Sequence, residues 1–188
     1  MRIIAGERKG QPLKAVPGMN TRPTTDKVKE AIFNMIGPYF SGGICLDLYA
    51  GSGALGLEAL SRGVERAIFI DHDKKAIETI RKNIEACRFE SRTEVYRNQA
   101  KRALKALFKR KLTFTYVFLD PPYARQQLVS DIEELDRLSL LAFGAVIVCE
   151  HGRDDELPRT IGRVIKIRQE TYGETKIAIF RYELKEDT

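Results

Sequence analysis

From residue 44 onward, short apolar runs alternate along the chain with longer stretches in which apolar residues recur every three or four positions. The short runs are typical of strands buried on both faces, and the longer stretches are typical of amphipathic helices. Alternating βα units predict a mostly parallel sheet with helices on both faces. The predicted strands cover 44–49, 66–70, 93–97, 115–119 and 144–150, and the predicted helices cover 53–62, 73–87, 99–110 and a region near 126–138.

The N-terminal end departs from this alternation. Residues 1–23 contain several glycines and prolines, which predict an arm in the form of a loop or hairpin. A threonine, Thr24 or Thr25, can then cap a helix over 24–37.

The C-terminal end also departs from it. Segments 163–170 and 176–184 flank a turn at Tyr172-Gly173-Glu174 and predict an antiparallel hairpin. We expect one domain over 1–188, in which the catalytic core occupies 44–188.

A polar tetrapeptide, Asp120-Pro121-Pro122-Tyr123, follows the apolar run 116–119. It is expected at the carboxyl edge of a strand, where open α/β sheets bind their ligands. The prolines have no N–H, so this loop offers carbonyl acceptors beside a carboxylate and an aromatic ring. These groups suit a planar base that carries an exocyclic amino group, with the ring stacked on the base. An ordinary proline-rich turn is the alternative.

A glycine-rich turn lies between the first predicted strand of the alternating region and the helix that follows it. Gly51, Gly53 and Gly56 form a G-x-G-x-x-G pattern, and Asp71 ends the next predicted strand. Such a turn lets the backbone approach a nucleotide-like ligand, and the acid suits ribose hydroxyls. NAD and S-adenosylmethionine both satisfy this pattern. The glycines could also serve only a tight turn.

Asp47 lies within an otherwise apolar predicted strand, where an ionised side chain is costly without a partner. A dinucleotide site does not need this acid. The zwitterionic amino-acid tail of S-adenosylmethionine would explain it, bound directly or through water. Capping of nearby backbone N–H groups is the alternative.

The charge balance favours a polyanionic partner. The chain has 32 Lys and Arg against 26 Asp and Glu, and its pI is near 9.2. The basic residues cluster in the arm and in the helix predicted over 99–110. The arm carries Arg2, Arg8, Lys9, Lys14 and Arg22, and the helix and its exit carry Lys101, Arg102, Lys105, Lys109, Arg110 and Lys111. A solvated helix face is the default interpretation of the second cluster, so the arm is the better evidence for such a partner.

Cysteine and histidine usage indicates no metal site. The three cysteines are far apart and predict buried thiols of a reducing compartment. The two histidines are predicted to be polar residues at strand ends. With no signal-type apolar segment and no membrane-spanning run, we expect a cytoplasmic protein without a membrane partner.

The order of these motifs, D-x-x-x-G-x-G, then Asp71, then D-P-P-Y, resembles class I S-adenosylmethionine-dependent methyltransferases that act on amino nitrogens. Other segments resemble the RsmD family of small-subunit ribosomal RNA guanine-N2 methyltransferases. These segments are Arg2–Gly6, Lys9-Gly10 with Leu13, Arg22-Pro23-Thr24 with Asp26, Val28–Asn34, Val148–His151 and Tyr172-Gly173.

The resemblance implies a Rossmann-like α/β fold. Its seven-stranded, mostly parallel sheet has the order 3-2-1-4-5-7-6 with strand 7 antiparallel. S-adenosylmethionine would be the methyl donor, and 16S ribosomal RNA, within a small-subunit assembly, would be the partner of a monomeric enzyme.

The resemblance also implies roles for residues. The base would be held by Asp120, Pro121, Pro122 and Tyr123, the cofactor by Asp47, Gly51, Ser52, Gly53, Asp71, Gln99 and Ala100, and the RNA by Arg8, Lys9, Lys14 and Arg22. Many methyltransferases place an acid near the adenine where this chain has Asn98-Gln99-Ala100, so an amide would make that contact here.

Other functions share parts of this pattern. An N6-adenine methyltransferase acting on DNA or RNA shares the tetrapeptide, although the stretch from Gly56 to Asp120 holds only standard βα units and leaves no room for a DNA-recognition domain. A protein-glutamine methyltransferase usually has Asn in place of Asp120. An NAD-dependent oxidoreductase would leave the tetrapeptide unexplained, and a non-enzymatic RNA-binding module would leave the cofactor turn unexplained.

Overall fold

The computed structural model describes residues 1–18, 24–122 and 124–183. The chain divides into two compact units, Met1–Gln99 and Ala100–Thr188. In the described ranges, no helix is both long and apolar enough to cross a membrane. The expectation of one domain stays a prediction.

The first unit contains a sheet of three parallel strands in the order β3-β2-β1. Its elements are α1 (Asp26–Ile36), β1 (Ile44–Asp47), α2 (Ala54–Ser61), β2 (Arg66–Asp71), α3 (Lys74–Cys87), a 3-10 helix (Glu90–Arg92) and β3 (Thr93–Arg97). The register aligns Leu46 of β1 with Ile68 of β2. Because Leu46 and Phe69 are fully buried, the strands form the centre of this unit's core.

The second unit contains strands in the order β4-β5-β8-β7-β6. Its elements are α4 (Ala100–Lys109), β4 (Phe114–Leu119), α5 (Ala124–Arg137), β5 (Leu141–Gly152), β6 (Thr160–Ile161), β7 (Val164–Tyr172) and β8 (Thr175–Tyr182). β4 and β5 are parallel, and β8 runs antiparallel to both β5 and β7.

The two units reproduce the two halves of the predicted strand order, so the predicted fold class is confirmed. The antiparallel strand, predicted as the seventh, is β8. The predicted number of strands was wrong, because the described chain has eight. The additional strand, β6, has two residues and pairs with β7. So short a strand has no periodic pattern by which the sequence could reveal it.

Side-chain caps set the starts of α1 and α3, which lie two residues and one residue later than the predicted starts. Thr25 caps α1, because its hydroxyl accepts a hydrogen bond from the Val28 N–H at 3.2 Å. Asp73 caps α3 in the same way, and its carboxylate accepts from the Ala76 N–H at 3.0 Å. This cap begins α3 directly after the end of β2.

Within the N-terminal arm, the backbone pairs residues 2–3 with residues 10–12 as in a hairpin. The Ile3 N–H donates to the Gln11 carbonyl at 2.9 Å, and the Gly10 N–H donates to the Ile3 carbonyl at 2.8 Å. Ile3 is fully buried, so the arm contributes to the core of the first unit. A Cβ on Gly6 would lie 1.9 Å from the Ser61 carbonyl oxygen, so only glycine allows the arm to approach α2 this closely.

A buried ionic cluster fastens the arm to α1 and α2. The Glu58 carboxylate accepts the Ile4 N–H at 3.0 Å and pairs with Arg62 at 3.0 Å. The Lys29 ammonium lies 4.0 Å from the same carboxylate and donates to the Arg2 carbonyl. Each buried charge thus has a partner, as a buried charge requires.

Candidate active site

The glycine turn combines two left-handed residues with one close packing contact. Gly51 and Gly53 have φ values of 57° and 82°, which favour glycine. A Cβ on Gly51 would meet no atom of the described residues within 4 Å, so among these residues the backbone there borders open space. Gly56 differs, because its Cβ would lie 2.4 Å from the Phe69 ring. The third glycine therefore lets α2 pack closely against β2.

Asp71 lies against this turn, as the sequence predicts. Its Oδ2 accepts the Gly51 N–H at 2.9 Å, and its Oδ1 accepts the Asp73 N–H at 2.9 Å. Each carboxylate oxygen has more than one acceptor site, so both retain capacity for ribose hydroxyls. The glycine turn and the acid are thus brought together within the first unit.

Asp47 is buried at the end of β1, and only 3 % of it is exposed. Its Oδ2 accepts the Gly56 N–H at 3.2 Å, so the predicted alternative of backbone capping is observed. Burial raises the pKa of Asp47 to about 8, the Gly56 hydrogen bond opposes this rise, and the nearby charge of Asp71 adds to it. A cationic ligand group would therefore gain from meeting this acid.

The Ser52 carbonyl of the turn is held by a residue that the sequence analysis missed. Asn83, on α3, donates from Nδ2 to the Ser52 carbonyl at 2.8 Å and to the Lys14 carbonyl at 2.9 Å. Its Oδ1 accepts the Lys14 N–H at 2.8 Å. One feature of the sequence could have revealed Asn83, because it is an amide within the apolar face of α3, between Ile80 and Ile84.

Asn98 and Gln99 follow β3. The Asn98 N–H donates to the Asp71 carbonyl at 3.0 Å, and its Oδ1 accepts the Gln99 N–H at 2.8 Å. The Gln99 side chain is exposed, and Ala100 is the first residue of α4 in the second unit. Within the segment that is predicted to contact the adenine, Asn98 therefore lies beside Asp71 at the end of β2.

The polar tetrapeptide begins where β4 ends. Leu119 is buried and pairs with Cys149 of β5, and the next residue, Asp120, is exposed. Pro121 is buried and Pro122 is exposed. Tyr123 lies outside the described residues. The predicted projection of a carboxylate from the end of a buried strand is thus observed at Asp120.

The end of β5 adds two polar residues beside this loop. Glu150 directly follows Cys149 within the last four residues of β5, as Asp120 directly follows Leu119 at the end of β4, and Leu119 pairs with Cys149. His151 is 4 % exposed, and its Nδ1 lies 3.0 Å from the Gly152 carbonyl. Burial lowers the pKa of His151, which favours the neutral imidazole at neutral pH.

The predicted RNA-binding residues fall into different environments. Lys9 and Lys14 are exposed. Arg8 is only half-exposed, because its Nε donates to the Cys87 carbonyl at 2.6 Å and its guanidinium lies 5.5 Å from the centre of the Phe89 ring. Arg22 lies outside the described residues. Arg8 therefore has structural contacts that the two lysines do not share.

The sheet order of the two units and the glycine turn against Asp71 are those of the class I methyltransferase fold. Across the described part of the chain, no cluster of His, Cys, Asp and Glu could hold a metal ion. The family model described as "Conserved hypothetical protein 95" matches residues 1–181. The chain belongs to this family, and the predicted resemblance to the RsmD family is confirmed.

Three relatives illustrate this membership. "Putative rRNA methyltransferase YlbH" of Bacillus subtilis (strain 168) is 54 % identical over 96 % of this chain and 98 % of its own. "Ribosomal RNA small subunit methyltransferase D" of Escherichia coli (strain K12) is 33 % identical over 97 % of this chain and 90 % of its own. The solved structure titled "Putative methyltransferase yhhF from Escherichia coli" is 32 % identical, with a TM-score of 0.83 over 97 % of this chain and 98 % of its own.

Proposed function

We propose that this protein uses S-adenosylmethionine to methylate the exocyclic N2 amino group of a guanine in small-subunit (16S) ribosomal RNA. The observation that carries the proposal is the exposed Asp120 at the end of the buried strand β4, followed by two prolines. The names of the Bacillus subtilis and Escherichia coli relatives support ribosomal RNA as the substrate class.

The residues of the glycine turn fit the predicted cofactor. The backbone at Gly51 borders open space, Asp71 retains acceptor capacity for ribose hydroxyls, and buried Asp47 suits the ammonium of the amino-acid tail. When bound, S-adenosylmethionine supplies an electrophilic methyl group. The residues proposed to hold it are Asp47, Gly51, Ser52, Gly53, Asp71, Gln99 and Ala100.

The tetrapeptide is proposed to hold the base. The lone pair of an exocyclic amino nitrogen is delocalised into the ring, so this nitrogen is a poor nucleophile. The Asp120 carboxylate and the Pro121 carbonyl accept the two amino hydrogens, which favours rehybridisation of the nitrogen and fixes its orientation. Pro122 stiffens the loop, and Tyr123 stacks on a base that has left its RNA stack.

A second carboxylate beside Asp120 supports guanine over adenine. On its pairing edge, guanine presents N1–H and the N2 amino group as adjacent donors, whereas adenine presents its amino group beside an acceptor nitrogen. Glu150, in the strand next to β4 and directly after the partner of Leu119, adds an acceptor that suits the guanine pattern. Exchanging its carboxylate for an amide in Glu150→Gln is expected to reduce the preference for guanine.

The RNA is proposed to meet the N-terminal arm through Lys9 and Lys14, which are exposed, with Arg8 and Arg22 as the other predicted contacts. A monomeric enzyme acting in the cytoplasm on a small-subunit assembly remains our prediction.

Methyl transfer to defined RNA tests the proposal. Small subunits and naked 16S ribosomal RNA from a strain that lacks the gene would be incubated with the protein and tritiated S-adenosylmethionine. Mass spectrometry of the digested RNA is expected to find N2-methylguanosine. RNA from the parent strain, which already carries the methyl group, is the matched control and should take up no label. N6-methyladenosine would overturn the choice of base, and unlabelled RNA would overturn the ribosomal function.

A further inference from the structure

One exposed face of α4 carries cations that the cofactor and base sites do not use. Between Asn98 and Leu119 the sequence contains neither Asp nor Glu. Lysines recur at intervals of four residues along α4, and an aromatic residue lies beside them on the same face. We call this set the outer stripe, and its members are Lys101, Lys105, Phe108 and Lys109.

The opposite face of α4 is fully used for packing. Ala103, Leu104 and Leu107 are exposed by 1 %, 0 % and 3 %. These apolar residues fix the rotation of the helix, so the lysines of the outer stripe point away from the core. The stripe is therefore held on a rigid element and is open to a partner.

Helix stability does not account for the cations at the start of α4. The first turn of this helix contains no acidic residue and carries Lys101 and Arg102. Cations near a helix N-terminus oppose the helix dipole, whereas Lys109 in the last turn agrees with it. The placement of Lys101 and Arg102 thus points to a use outside the helix.

One acid near the outer stripe, Glu134, already has a partner. Glu134 of α5 is near Lys101 and Lys105, and the two Glu134 oxygens accept from Arg137 at 2.9 and 2.8 Å. The hydrogen bond from Arg137 is also the main cause of the lowered pKa of Glu134. The Glu134 carboxylate is therefore already engaged by another cation.

An exposed ring among these lysines favours a nucleic acid as the partner. Phe108 is 51 % exposed. A base can stack on such a ring while neighbouring lysines meet phosphates. A membrane would need a wider apolar face, and the two leucines of α4, Leu104 and Leu107, are buried in the protein.

We infer that the outer stripe of α4 binds the phosphate backbone of the substrate RNA, with Phe108 stacked on an unpaired base. This inference rests on the proposed function, because it supplies a second RNA-binding surface for the same substrate. The outer stripe lies on a helix of the second unit, whereas the arm belongs to the first unit.

Fluorescence anisotropy with a labelled fragment of small-subunit ribosomal RNA tests the inference at several salt concentrations. The triple variant Lys101→Gln, Lys105→Gln, Lys109→Gln is expected to bind at least about tenfold more weakly at low salt. The salt slope, which is the slope of log affinity against log salt concentration, should become shallower by about 2. Phe108→Ala should weaken binding without changing that slope. The matched control is Lys74→Gln, Lys75→Gln, Lys82→Gln, three exposed lysines of α3, which should bind as the wild type does.

Each outcome is distinguishable from failure of the proposed function. If wild-type protein methylates the RNA and the α4 variant binds it with wild-type affinity and slope, the inference is overturned and the function stands. Equal losses in the α3 control would also overturn it, because they would show a general charge effect. Binding of the wild type to phosphatidylserine vesicles but not to RNA would replace RNA with a membrane as the partner. Unchanged affinity of the α4 variant for S-adenosylhomocysteine shows that it remains folded.

Discussion

The Asn83 side-chain amide donates a hydrogen bond to the Ser52 carbonyl at 2.8 Å. The same amide bonds to both backbone polar groups of Lys14, so one side chain of α3 joins the N-terminal arm to the cofactor turn. Asn83 is 1 % exposed, and water cannot easily replace these bonds. The position of the turn therefore depends on the arm, although the two are far apart in sequence.

We predict that Asn83→Leu weakens the binding of S-adenosylhomocysteine by about tenfold, the effect expected from losing one well-placed buried hydrogen bond. Calorimetry measures this affinity directly. Thr79→Val is the matched control, because Thr79 lies one turn earlier in α3 and its hydroxyl donates within the helix, to the Lys75 carbonyl. If Asn83→Leu lowers stability but keeps wild-type affinity, Asn83 has a structural role alone.

A second prediction concerns Asp47 and pH. The pKa of Asp47 is raised to about 8 in the folded protein, so between about pH 4 and pH 8 the folded state binds more protons than the unfolded state. Its contribution to stability is therefore lost as pH rises through this window, by at most about 1.4 kcal/mol per pH unit. Asp47→Asn should remove this loss, while its amide oxygen still accepts the Gly56 N–H. Urea denaturation across the window measures the free energy of unfolding.

The same acid should couple cofactor binding to proton release. A ligand ammonium beside Asp47 would favour its ionised form, so S-adenosylhomocysteine should displace a proton at pH 7. Calorimetry in two buffers of different ionisation enthalpy reveals such a proton, and Asp47→Asn should abolish it. Identical enthalpies in both buffers for the wild type would contradict the placement of the amino-acid tail at Asp47.

A third prediction concerns the close contact between α2 and β2. Alanine normally stabilises a helix relative to glycine, by roughly 0.5–1 kcal/mol. At Gly56 the new Cβ would lie 2.4 Å from the buried Phe69 ring, so Gly56→Ala should instead destabilise the protein by about 1–3 kcal/mol. In a double-mutant cycle, Phe69→Leu should recover part of this loss, and strictly additive effects would refute the contact.

Much of this arrangement is predictable from the sequence, because it depends on local patterns. An apolar run followed by Asp120 indicates a strand end, and Gly51 followed 20 residues later by Asp71 indicates a turn and an acid at the same sheet edge. The packing of Ile3 into the core and the bonds of Asn83 depend on contacts between distant segments. No local pattern specifies such contacts, so the arm is predictable as a hairpin but its attachment is not.

A fourth prediction separates Arg8 from the lysines of the arm. Arg8→Ala removes the bond to the Cys87 carbonyl and the contact with the Phe89 ring, so it should lower the free energy of unfolding by about 1–3 kcal/mol. Replacing exposed Lys9 or Lys14 by alanine should change the free energy of unfolding by less than about 0.5 kcal/mol. The contacts of Arg8 thus make it a structural residue as well as a predicted RNA contact. Urea denaturation of the single variants gives the comparison.

The double variant Lys9→Ala, Lys14→Ala then reports on RNA binding without loss of stability. It should reduce both the affinity for the ribosomal RNA fragment and the salt slope of binding. An unchanged salt slope in this variant would mean that the lysines of the arm do not bind RNA, and α4 would remain as the proposed RNA-binding surface.

The last prediction tests the base-holding loop. Asp120→Ala should leave the affinity for S-adenosylhomocysteine unchanged and slow methyl transfer by about 10²–10³-fold, because it removes an acceptor of the amino hydrogens. Tyr123→Phe should retain substantial activity and Tyr123→Ala should lose it, since stacking needs the ring and not the hydroxyl. The exposed residue Glu133 of α5 provides a matched carboxylate, and Glu133→Ala should transfer methyl groups normally. Tritiated methyl transfer to small-subunit RNA measures all four variants. A wild-type rate for Asp120→Ala would mean that another group accepts the amino hydrogens, and the adjacent Glu150 would be the first residue to replace.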